Sequence, residues 1–131
     1  MLLAANVAVF ASYALDDAPP ARRRWLRSFL LSRGTFAADP GVLVRHFFAH
    51  MDPLHLFFNL YTLHSFGGAA HAYLGPARFL ALYFAAGLAG GAAQLSYPAL
   101  ARALRWPAAR DRRLADVPSL GASGAVFGLV G

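Results

Sequence analysis

An all-α, polytopic transmembrane helical bundle is the fold class this sequence predicts, and three observations carry it. Of 131 residues, 58% are hydrophobic and 14% charged, and the mean hydropathy is +0.46, more apolar surface than a soluble domain of this size buries. Two stretches, Pro53 to Ala77 and Phe79 to Ala101, carry no formal charge, and each is long enough to cross a ~30 Å hydrocarbon core as a helix. All twelve cationic residues are arginines, set against six aspartates, and they lie between the apolar runs. A pI near 10.8 often marks a nucleic-acid binder. Here no single polar face collects the arginines, so membrane topology and anionic lipid explain them better, and no nucleic-acid partner is expected. With no cysteine, disulfides and cysteine chemistry are excluded.

Each element follows in order. Residues 1–15 are uncharged and run into Asp16-Asp17 and Pro19-Pro20. At ~1.5 Å per residue they cover about two-thirds of the hydrocarbon core, and they lack the basic start of a signal peptide. They read as the end of a transmembrane helix whose beginning is missing. Residues 16–52 form a loop containing an amphipathic helix from Arg22 to Arg33, where Trp25, Leu26, Phe29 and Leu30 recur at helical spacing among Arg23, Arg24 and Arg27. Gly34 and Asp39-Pro40-Gly41 supply the turns that end it. Transmembrane helices are expected over 53–75 and 77–101, joined at Gly75-Pro76-Ala77-Arg78. The second carries Gly87 and Gly91 in GxxxG register and should pack closely against a neighbour. Residues 102–118 are a basic loop, broken by Pro107 and Pro118. Residues 119–131 start a further span that stops about eight residues too early to cross, so the bundle reads as incomplete, cut at both ends. Eleven of the twelve arginines fall in the loops 16–52 and 102–118, which places both on the cytoplasmic or matrix side.

The chemistry centres on Gly121-Ala-Ser-Gly124. Ser123 sits among residues without bulk, so another backbone can approach it, and a helix starting there would aim unpaired N–H groups at a developing oxyanion. The same letters also describe close packing of membrane helices, with Gly124 and Gly128 four apart. The strict pattern G-x-S-x-G is not met, since residue 125 is alanine. On the preceding span, His55 and Asn59 are four apart and share one helix face. Polar groups at membrane depth are costly and line a protein interior or a wet cavity. Two readings stand for them. One is a metal site built from His50, His55 and His46, although H-x4-H across a proline lacks the geometry of a zinc helix and no carboxylate is suitably placed. The other is donation of hydrogen bonds to an oxyanion at Ser123. His64 and His71 are read as ordinary interhelical hydrogen-bonding residues.

Taken together, His50, His55-x3-Asn59, Gly67-Gly68, Leu74-Gly75, the small-residue third span and Gly121-Ala-Ser-Gly124 resemble the rhomboid intramembrane serine proteases. The resemblance runs from about residue 45 to 131, and the amphipathic loop before it is also similar. Leu-Tyr-Thr-Leu-His-Ser-Phe-Gly, followed later by Pro-Ser-Leu-Gly-Ala-Ser-Gly-Ala, is most similar to the mitochondrial, presenilin-associated rhomboid-like branch. The resemblance implies a six-helix core with Ser123 as nucleophile, Asn59 and His55 as oxyanion partners, and His50 as a structural loop histidine. It implies cleavage of transmembrane protein substrates in a lipid bilayer, with no cofactor and no metal, and it favours the mitochondrial inner membrane, which the arginine distribution supports, with a bacterial or other organelle membrane as the alternative. Three departures are visible. No histidine follows Ser123, so the general base is expected beyond residue 131; Phe127 stands where some members have tyrosine; and Arg45 lacks the tryptophan that precedes it in some members. Without the base the 131 residues alone should be inactive. Two other classes remain: a non-catalytic rhomboid-like protein that binds transmembrane clients, and a small transporter subunit.

Overall fold

The computed structural model describes residues 1–105 and 118–130. Among the described residues, seven α-helices run in order: α1 (Leu2–Ala14), α2 (Pro19–Phe29), α3 (Arg33–Ala38), α4 (Val42–Arg45), α5 (Pro53–Leu74), α6 (Pro76–Ala103) and α7 (Ser123–Val130), with a short 3₁₀ turn, His46–Phe48, following α4. The fold class is therefore all-helical. The basic loop expected over 102–118 falls, from 106 to 117, outside the described residues.

Local chemistry sets the boundaries. Prolines open α2, α5 and α6, where the missing N–H costs nothing. The Asp52 carboxylate caps α5 by accepting from the His55 N–H at 2.8 Å. Gly75, with φ +76°, reverses the chain in a single residue between α5 and α6. The amphipathic element differs from expectation. It ends at Phe29, and Gly34 lies inside α3 instead of ending a helix. The reason is a capping box that restarts the helix: the Thr35 N–H donates to Ser32 Oγ (3.1 Å) and the Ser32 N–H to Thr35 Oγ1 (2.9 Å). The aromatic face of α2 is as expected, with Trp25 buried and stacked on Phe29 at 4.8 Å.

Among the described residues, α6 is the one helix both long enough and apolar enough to cross a membrane. Its neighbour α5 has 22 residues, yet His55, Asn59, His64 and His71 dilute its hydropathy, and α1 is apolar but short at 13 residues. These helices leave Leu54, Phe57, Phe58, Tyr73, Leu80 and Leu100 exposed, a liability in water that a lipid surround removes. The core gathers Phe47, Leu63, Phe79, Tyr83, Ala122, Ala125 and Val126 between α5, α6, α7 and the 3₁₀ turn. Glycines set its geometry, and the face with the GxxxG register packs closely, as its spacing suggests, with the loop before α5 as the neighbour. A methyl on Gly87 would lie 2.9 Å from Phe47, and one on Gly91 2.7 Å from His46 and Leu43, so that face receives the loop. The neighbouring helix α7 approaches instead at Gly90, where a methyl would meet Gly124 Cα at 3.5 Å, and at Ala86, which faces Gly128. Gly124 and Gly128 thus admit a close helix, as their spacing predicts.

Candidate active site

The residues before Ser123 cannot form a helix. Gly121 has φ +117°, a left-handed conformation that side chains resist. The chain straightens into α7 only at Ser123, whose preceding residue accepts the first helical bond, from the Val126 N–H to the Ala122 carbonyl (2.8 Å). Ser123 is therefore the first residue of α7, and its own N–H belongs to the unpaired turn at the positive end of the helix dipole.

Among the described residues, four hydrogen bonds pin this loop. Leu31 and Ser119 exchange both backbone bonds at 2.9 Å, tying the segment after α2 to the approach to the serine. The Gly121 N–H donates to the His46 carbonyl at 2.9 Å. The Ala122 N–H donates to His50 Nε2 at 3.3 Å, and His50 is fully buried. An accepting Nε2 is unprotonated, and burial together with the neighbouring His55 keeps His50 neutral, its pKa pushed down to about 4. Burial also lowers His46, whose Nδ1 lies 3.0 Å from the Leu43 carbonyl. The sequence offers no signal for the Leu31–Ser119 pair, a one-residue bridge between distant loops. His50 was legible as a candidate metal ligand or, by resemblance, a structural loop histidine, in neither case with its partner.

The expected site residues are brought together in part. The His55 ring lies on the loop itself: a methyl added to Gly121 would stand 2.6 Å from its Cε1 and 2.9 Å from its Nε2. Its ring also meets that of His50 edge-on, with centroids 4.9 Å apart. Asn59 is buried one turn deeper on α5, which packs against α7, and its Nδ2 donates to the His55 carbonyl at 2.8 Å. Ser123, half-buried, lines a cavity of about 170 Å³ with His46, Gly87, Gly90, Gly91 and Gln94. That cavity is walled by α6 and the loop and is not lined by His55 or Asn59. Phe127, four residues on, points outward and is 71% exposed. Among the described residues, His46, His50 and His55 do not gather as a three-ligand metal set. His64 and His71 border a different cavity near the start of α1, and His71 meets Phe79 edge-on at 5.5 Å, a ring contact in place of the expected hydrogen bond.

This arrangement holds a serine hydroxyl at a helix start, beside a cavity, with an imidazole resting on the glycine two residues before it. The Rhomboid domain family matches residues 40–131. Over 131 residues the chain is 37% identical to Rhomboid protein 1, mitochondrial, of Saccharomyces cerevisiae, covering 99% of this chain and 34% of that protein. Over 82 residues it is 35% identical to Rhomboid protease GluP of Bacillus subtilis, covering 63% of this chain and 13% of that protein. The chain thus spans about a third of the yeast relative's length. No solved structure matches it.

Proposed function

The chain belongs to the rhomboid family of helical membrane proteins, and from that membership we propose that it carries the nucleophile side of an intramembrane serine endopeptidase. Ser123 Oγ attacks the carbonyl of a peptide bond in or near a substrate's transmembrane helix, and its proton passes to a histidine base supplied from outside residues 1–131. The acyl-enzyme formed is then hydrolysed by water. The oxyanion accepts hydrogen bonds from the Ser123 N–H and from the His55 and Asn59 side chains. The observation that carries this reading is the placement of Ser123 as the first residue of α7, on a cavity wall, with the His55 ring against Gly121. Pinning of the loop by His50, His46 and Leu31 supports it further, because an oxyanion site must be rigid before the reaction begins. The mitochondrial inner membrane is the proposed location, supported by the yeast mitochondrial relative and by the arginine-rich loops.

The test is cleavage of a transmembrane reporter by the full-length protein in proteoliposomes. Ser123→Ala abolishes product, and Asn59→Ala lowers turnover by about 10²-fold, as loss of an oxyanion donor does. Undiminished cleavage by Ser123→Ala overturns the proposal. Wild-type protein that binds the reporter without cutting it points instead to a client-binding rhomboid.

A further inference from the structure

A second concave site shares no residue with the cavity at Ser123. It is a groove of about 300 Å³ between the end of α1 and the start of α2, walled by Ser12, Tyr13, Asp16, Arg22, Arg24 and Ser28. Trp25 braces it: its indole N–H donates to Ser12 Oγ at 3.0 Å, and its ring is tilted against Tyr13 at 4.8 Å. Arg22 is held in place twice over. Its guanidinium lies 4.4 Å from the Tyr13 ring centroid, and one of its terminal nitrogens is 3.2 Å from the Asp17 carboxylate. Arg22 Nε is nonetheless buried with no hydrogen-bond partner among the described residues, and a cationic donor kept from water without an acceptor is expensive.

The groove's remaining polar atoms define what would satisfy it. Arg24 is exposed and presents a second guanidinium. Asp16, the acid in the wall, has Oδ1 engaged by the Ala18 N–H at 3.1 Å. The hydroxyl protons of Ser12 and Ser28 are spent on the Val9 and Arg24 carbonyls, so these oxygens offer lone pairs. Two cationic forks beside hydroxyl acceptors suit a phosphodiester that carries hydroxyls of its own. The site lies where the apolar α1 gives way to the arginine-rich α2, beside a tyrosine and a tryptophan, which is the composition of a headgroup layer. We propose that this groove binds the headgroup of an anionic glycerophospholipid of the phosphatidylglycerol type. Arg22 and Arg24 hold the phosphate, and the serine oxygens accept from the headgroup hydroxyls.

The test is native mass spectrometry of the full-length protein in detergent, titrated with phosphatidylglycerol, phosphatidylcholine or soluble glycerol phosphate. Phosphatidylglycerol is expected to bind in preference to the other two. The pair R22Q/R24Q weakens it about tenfold or more, whereas R23Q/R27Q, an equal charge change on the same helix outside the groove, changes binding by less than about twofold. Arg24→Gln alone, at an exposed position that leaves the fold intact, weakens it about threefold or more. Equal losses in the two double variants would mean diffuse attraction and overturn the site, as would equal binding of phosphatidylcholine or no loss with Arg24→Gln. Displacement by glycerol phosphate at matched concentration overturns the lipid as occupant. None of these outcomes depends on proteolysis.

Discussion

Gly121 and the two histidines around it decide whether the serine is held ready. A β-carbon at residue 121 meets both an unfavourable φ and the His55 ring, so Gly121→Ala is expected to cost about 1–3 kcal/mol of stability and most of the activity. Thermal denaturation in detergent reads the first and reporter cleavage the second. Adding His55→Ala should restore part of the stability, since it removes the clash but not the strain; no recovery would mean that the ring does not rest on the loop. His50 adds a pH dependence of known sign. Its folded pKa, about 4, lies below the ordinary value of 6.5, so the unfolded chain binds more protons between the two. This contribution is fully present above about pH 6.5 and is lost as pH falls toward 4. Melting temperatures followed from pH 7.5 to 4.5 should therefore fall more steeply for the wild type than for His50→Gln, and parallel curves would remove His50 from the account. The serine and its small neighbours were legible in the sequence because residue type alone limits what they can do. The partner of His50 was not, because a buried imidazole accepting from a loop N–H leaves no trace in spacing.

At the scale of elements, the crossing of α6 and α7 positions the serine, and small residues set its distance. Gly90 faces Gly124, and Ala86 faces Gly128, an antiparallel contact of two four-residue steps. Gly90→Leu should wedge the helices apart, costing about 1–3 kcal/mol as overpacking does. Gly68→Ala, where nothing lies within 4 Å, should leave the melting temperature nearly unchanged. Equal effects of the two in a denaturant or thermal melt would contradict close packing at the crossing. The helices α5 and α6 begin within a residue of where charge and proline place them. The sequence did not say which partner the glycine face receives. GxxxG states that something approaches closely, and here that is Phe47 and His46 of the loop rather than a helix. Arg33 adds to this docking, with Nε and a terminal nitrogen each 3.2 Å from the Leu95 carbonyl of α6. The short helices between residues 19 and 45 thus belong to the scaffold that holds the loop before Ser123.

For the whole molecule, composition and span length were enough to expect a helical membrane protein, because a chain of 58% hydrophobic residues leaves too much apolar surface for water. Length and hydropathy alone single out α6, while α5 trades apolarity for His55 and Asn59. Rhomboid membership rests on residues 40–131, and the proposed chemistry rests on one hydroxyl. The most direct test is labelling of the full-length protein, in membranes, by a fluorophosphonate probe that reacts only with an activated serine. The expected outcome is that wild type is labelled, that Ser123→Ala is not, and that the label maps to Ser123. Equal labelling of wild type and Ser123→Ala would contradict it.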